Sequence, residues 1–230
     1  MDFTSGIGVI MKTVLIASAM AAFSIVGSAG AATLNGTFSF DIYQRTDANS
    51  AQSEATTGNI AASTFLQNVT YSGDIDFGTF NGNATTIGDW LGSGVNGAVS
   101  GLTNAVAALQ LSKSDIGNGT ATTTFFDITA TFASSFDSII RHDDGITAFD
   151  DGIAYATSAQ PTTVIDTIAN GFDGGQWRLI YAATNNDPSV LKVTGDNLPT
   201  PTPVPLPAGG LLLITGMGAV AALRRRKKAA

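Results

Sequence analysis

Apolar and polar positions alternate along most of the chain. In residues 34–42, Leu34, Gly36, Phe38, Phe40 and Ile42 fall on one face, and Asn35, Thr37, Ser39 and Asp41 on the other. That is the period of a half-buried strand. Residues 69–77 repeat it, with Val69, Tyr71, Gly73, Ile75 and Phe77 inward. Residues 122–132 form a Thr- and Phe-rich strand with Phe126, Ile128, Ala130 and Phe132 inward. Shorter strands are predicted at 138–141, at 176–183 with Trp177, Leu179 and Tyr181 on one face, and at 189–193. Residues 44–59 are polar and read as a loop. Residues 78–97 are broken by glycines around the apolar group 87–91. In residues 99–111, Leu102, Val106 and Leu109 sit at helical spacing, which favours a short helix over a strand. Asp143-Asp144-Gly145 and Asp150-Asp151-Gly152 flank the apolar run 146–149, and Asp-Gly between such runs predicts hairpins. Short strands parted by Gly, Asn and Asp turns predict an all-β fold. The expected form is an antiparallel β-sandwich, jelly-roll-like, over residues 32–196.

Both ends depart from the alternation. Met11 and Lys12 precede an apolar stretch at 13–26, and Ala29-Gly30-Ala31 gives a small-x-small cleavage pattern. Residues 1–31 therefore read as a signal peptide, with Met11 as the true start and cleavage after Ala31. At the other end, residues 197–207 hold five of the seven prolines and predict an extended stalk. Val204, Pro205, Leu206, Pro207, Ala208 and Gly209 lead into an uncharged segment ending at Leu223. Arg224, Arg225, Arg226, Lys227 and Lys228 follow it. The fifteen residues 209–223 span about 22 Å as a helix, short against a bilayer core of about 30 Å. The basic cluster would hold its end in the cytoplasm.

Residues 204–228 resemble the VPLPA-CTERM sorting signal, a relative of the PEP-CTERM signals of Gram-negative bacteria. The resemblance implies processing by an exosortase-type membrane enzyme. It implies inner-membrane anchoring through a transmembrane segment at 208–223, then delivery to the cell surface or extracellular matrix.

Charge narrows the function. Residues 32–196 carry 17 acidic and 5 basic side chains, a balance of −12. Such a surface repels nucleic acid and anionic lipid and attracts cations. Sixteen of the acids are Asp, which favours turns. The absence of cysteine excludes thiol catalysis, disulfides and Cys-type zinc sites. The single histidine, His142, excludes His-rich zinc sites. A Ser-His-Asp triad would have to use it, and no Gly-x-Ser-x-Gly elbow accompanies it. Trp177 and Tyr181 alternate on one strand face, which favours core over a sugar platform.

The candidate chemistry lies at Asp143, Asp144, Asp150 and Asp151. Calcium takes six to eight oxygens, and clustered aspartates with turn carbonyls can supply them. Four carboxylates on adjacent turns would repel one another without a cation. The alternative is an ordinary solvated hairpin. Residues 141–146 with 150–152, followed by the aromatic strand 177–181, resemble the protective-antigen-type β-sandwich of bacterial glycosidases and flocculin adhesins. That resemblance covers residues 138–193. It implies that Asp143 and Asp144 hold calcium and that the calcium helps to hold sugar.

The first expectation is a non-enzymatic, exported surface or matrix protein of structural or adhesive type. The second is a calcium-dependent carbohydrate-binding module or adhesin with surface polysaccharide as its partner. A glycoside hydrolase is the least supported, since a carboxylate pair at about 5–9.5 Å occurs by chance in so Asp-rich a chain.

Overall fold

The chain builds two antiparallel sheets packed face to face, in a computed structural model that describes residues 31–79, 85–115, 119–186 and 188–199. The signal peptide through Gly30, with Ala29, lies outside these residues. So do the stalk beyond Pro199 and the sorting tail with Val204, Pro205, Leu206, Pro207, Ala208 and Gly209. Among the described residues no helix is long and apolar enough to cross a membrane.

In chain order the strands are β1 (Ala32–Thr33), β2 (Asn35–Ala48), β3 (Thr64–Asp74), β4 (Asp76–Thr79), β5 (Ala98–Ser100), β6 (Lys113–Asp115) and β7 (Thr120–Phe132). Then come β8 (Phe136–Asp143), β9 (Ile146–Asp150), β10 (Ile153–Ser158), β11 (Ile165–Phe172), β12 (Gly175–Ala183) and β13 (Ser189–Gly195). Among the described residues three short α-helices intervene: α1 (Thr57–Ala61), α2 (Ile87–Gly92) and α3 (Asn104–Ala107). The large sheet runs β10-β9-β12-β7-β2-β3-β5, with β6 beside β7. The small sheet runs β1-β13-β8-β11, with β4 beside β13. The all-β sandwich expected from the alternation is present, with Phe38, Phe40, Ile42, Phe126 and Ile128 buried between the sheets.

Some local expectations change. Residues 69–77 are two strands in different sheets. β3 ends at Asp74, and β4 pairs with β13. Ile75 is the pivot: its N–H donates to Leu34 O at 2.8 Å and its carbonyl accepts from Val193 N at 2.9 Å. Both halves bury the same side-chain phase, so the alternation runs unbroken through the switch. The loop expected at 44–59 begins later, because Gln44 and Arg45 of β2 pair with Thr124 and Thr123 of β7. A 3-10 turn capped by Asn49 follows, then α1 capped by Thr56. These carry Ala55 and Ile60 over the outer face of the large sheet, onto Phe125, Phe149, Ile180 and Ala182. Residues 99–111 divide between β5 and α3, with Leu102, Val106 and Leu109 packed on the main core.

The apolar group at 87–91 becomes α2. Thr86 and Asp89 form a reciprocal capping box, the Thr86 hydroxyl accepting from Asp89 N at 3.1 Å and Asp89 Oδ2 from Thr86 N at 3.1 Å. The helix drives Trp90 into the centre of the sandwich. Its ring stacks on Phe77, Phe126 and Tyr181 at centroid distances of 4.5, 4.3 and 5.3 Å.

Candidate functional site

The two Asp-Asp-Gly segments have different fates. Asp150-Asp151-Gly152 makes the expected hairpin between β9 and β10, with Asp151 and Gly152 both at positive φ (45° and 86°). Asp143-Asp144-Gly145 does not. β8 belongs to the small sheet and β9 to the large one, so this segment is a crossover between sheets. Strand β9 also separates the pairs. At about 3.3 Å per residue, the chain from Asp144 to Asp150 spans roughly 20 Å. Asp143 and Asp144 are thus brought together, while Asp150 and Asp151 stand at the other end of β9. There Asp150 Oδ2 accepts from Asp173 N and Asp151 Oδ1 from Gln176 N.

The crossover is held by its backbone. The Asp143 carbonyl accepts from the Tyr181 hydroxyl. The Asp144 carbonyl accepts from His142 Nδ1. The Gly145 carbonyl accepts from Ala182 N at 2.9 Å, and Asp144 N donates to Ala182 O at 3.3 Å. The Asp143–Asp144 peptide bond is cis. Gly145 is required by contact, since a Cβ there would lie 2.1 Å from the Ala159 carbonyl oxygen.

His142 is fully buried. Because Nδ1 donates to a carbonyl, Nε2 is the acceptor, taking the Thr167 hydroxyl at 2.7 Å. Burial pushes its pKa down, which keeps the ring neutral. His142 is therefore a brace for the crossover, with both nitrogens committed.

With those carbonyls used, the carboxylates of Asp143 and Asp144 are the side-chain oxygens that the crossover offers. They are buried, at 5% exposure for Asp143 and 2% for Asp144. Asp144 accepts from Thr184 N at 2.7 Å and from Thr162 N at 3.3 Å. The Asp143 carboxylate takes no hydrogen bond among the described residues. No ion pair there reaches either group. Burial raises Asp143 to about 6. Burial, then the neighbouring Asp143 charge, raise Asp144 to about 8 against the two amide donors. Two adjacent, largely buried carboxyl groups without a counter-charge could hold a hard cation, whose charge would offset the cost of their ionisation. The donor set is all oxygen, which fits calcium. No third acidic or histidine side chain joins them among the described residues, so further ligands would be carbonyl, amide or water oxygens.

Pro161 and Asn185 flank the two amide donors of Asp144. With Ser50, Ser53, Ser114 and Thr120 they line a cavity of ≈ 190 Å³. Asn185 has positive φ (57°), and Ser53 reaches Thr184 through the hydroxyl of Thr123. The loop after β12 carries little sequence signature. Its one local signal is Asn185-Asn186, a pair suited to left-handed turns. Trp177 and Tyr181 are fully buried, as the strand pattern implied.

No family model matches the chain, and no curated protein sequence does. Among solved structures it is similar to a PA14 sugar-binding domain from an RTX adhesin. Identity is 15%, over 68% of this chain and 86% of that one, with a TM-score of 0.43. It is also similar to the PA14 domain of the MpAFP antifreeze protein, at 12% identity, 78% and 98% coverage and a TM-score of 0.46. A GH31 α-xylosidase from Xanthomonas citri aligns at 8% identity over 80% of this chain, with a TM-score of 0.32, and the match spans 16% of that enzyme. These likenesses are distant, so the functional reading rests on this chain's own residues.

Proposed function

We propose that residues 32–196 form a non-enzymatic, calcium-dependent carbohydrate-binding module of adhesive type. The observation that carries this reading is the braced crossover, which sets the adjacent, largely buried carboxylates of Asp143 and Asp144 side by side without a counter-charge. These two side chains would hold the ion. Bound calcium would neutralise them and offer coordination positions to ligand hydroxyls. The hydroxyl-lined cavity beside Thr162 and Thr184 suits a small polyhydroxylated group. His142 and Tyr181 hold the Asp143–Gly145 backbone in place, so the carboxylates need little rearrangement to bind.

The display of this module is part of the same proposal. The signal peptide with Ala29 and Ala31, and the tail with Val204 to Gly209 and its basic end, support export. An exosortase-type enzyme would then sort the chain to the cell surface or matrix, where polysaccharide is the available partner.

A glycan array in calcium and in chelator tests the binding reading. Signal on a subset of glycans in calcium, lost in chelator and in Asp143→Asn, is expected. An array silent in both conditions counts against it and leaves a structural surface protein.

A further inference from the structure

Among the described residues, the segment that carries Ala55 and Ile60 covers one end of the outer face of the large sheet. Beyond that cover, Ser100, Thr70, Ser39 and Thr129 stand opposite one another across β5, β3, β2 and β7. Two residues along, Asn68, Asp41 and Asp127 form a second cross-strand row. Three features there depart from an idle solvated face.

First, Phe65 is 53% exposed on a strand whose next outward residues are Asn68, Thr70 and Ser72. Its ring meets Tyr43 edge to face at 5.3 Å, so it is fixed in place although exposed. Second, Arg178 donates twice to Asp127, from Nε at 2.7 Å and Nη2 at 2.8 Å, while its guanidinium lies 5.0 Å over the Phe149 ring. That fork is immobilised on both sides. Third, Asn68 Nδ2 donates to Asp41 Oδ1 at 2.6 Å and to Ser39 Oγ at 2.8 Å, which fixes another planar polar group on this face.

An exposed aromatic ring on the same sheet face as locked amide, carboxylate and guanidinium groups offers partners for both sides of a sugar ring. The C–H face can lie on Phe65, and the hydroxyls can share the remaining lone pairs of Asp41 and Asp127. From β3 to β12 is three strand spacings, about 14 Å, room for a short stretch of chain. Two carboxylates against one guanidinium repel a polyanion, so the chain should be neutral. We propose that this face is a second carbohydrate-binding surface, independent of calcium, on which a neutral polysaccharide lies across β3, β2, β7 and β12. It shares no residue with the Asp143–Asp144 crossover.

Affinity electrophoresis of the full chain, in a non-sugar detergent with EDTA throughout, tests this. The gels contain hydroxyethylcellulose, laminarin or dextran, with alginate as the polyanion. Retardation by at least one neutral polymer and none by alginate is expected. Phe65→Ala should weaken it about tenfold, the loss of a single anchoring contact. Asn68→Ala, at an exposed position, should weaken it in the same direction, and Asp143→Asn should leave it unchanged. Absence of retardation by every neutral polymer overturns the proposal, as does equal retardation by alginate. So does full affinity in both Phe65→Ala and Asn68→Ala. Each of these results leaves the calcium reading standing, because calcium is absent from every gel.

Discussion

Trp90→Ala is expected to lower the stability of the domain by about 3–5 kcal/mol, the range for emptying an aromatic site in a packed core. The indole is fully buried and touches three other buried rings in near-parallel stacks, at interplanar angles of 20°, 27° and 16°. Its Nε1 donates to Ser189 O at 3.1 Å, a bond that ties α2 to the start of β13. Alanine leaves both a cavity and a buried carbonyl without its donor, and the two costs add. The loss is large against a total of roughly 5–15 kcal/mol for a domain. It should also reach the crossover, because Tyr181 stacks on Trp90 and bonds the Asp143 carbonyl. Urea unfolding of the alanine and phenylalanine variants measures this. Phenylalanine keeps part of the stack and should recover part of the stability. An unshifted midpoint in Trp90→Ala would mean that the helix does not plug the core.

Calcium is expected to raise the melting temperature strongly near pH 8 and weakly near pH 4. In the metal-free domain Asp143 and Asp144 lie at about 6 and 8, above the ordinary 3.8. A carboxyl raised on folding stabilises the fold while protonated. That contribution is complete below about pH 4 and is lost as pH rises through 6 and then 8. Metal-free stability should therefore fall across this window. Calcium needs both groups ionised, so its effect grows over the same window. At a hundredfold excess over Kd it is worth about 2.7 kcal/mol, roughly 5–10 °C for a domain of this size. Asp143→Asn is the informative variant, since that carboxylate takes no hydrogen bond among the described residues and an amide can replace it without loss. It should keep the fold, lose the calcium shift and flatten part of the pH slope. A calcium shift of equal size at both ends of the window would contradict this account.

What the sequence revealed depended on how local the determinant was. The strand at 34–42 was legible because Phe38, Phe40 and Ile42 face the core while their neighbours face water. The sheet switch at Ile75 was not, because β3 and β4 bury the same phase on either side of it. The role of Trp90 depends on partners distant in the chain, although Thr86 and Asp89 stand at capping-box spacing around the start of its helix. The two Asp-Asp-Gly segments are identical as tripeptides. One is a hairpin because its flanking strands share a sheet, and the other is a crossover because they do not. The sequence pointed to Asp143 and Asp144 but not to their burial. The hydroxyl of Tyr181 and the amides of Ala182 and Thr184, which brace them, lie about forty residues away in the chain. His142 reads locally as a candidate base; in the fold its Nδ1 donates to the Asp144 carbonyl two residues on, and its Nε2 accepts from Thr167, twenty-five residues away.

A calorimetric titration of calcium into the folded chain near pH 8 tests the central claim most directly. The account predicts saturable binding of one ion per chain, abolished in Asp143→Asn and retained in Asp150→Asn. No saturable heat at millimolar calcium would contradict it, and so would binding that survives in Asp143→Asn and disappears in Asp150→Asn.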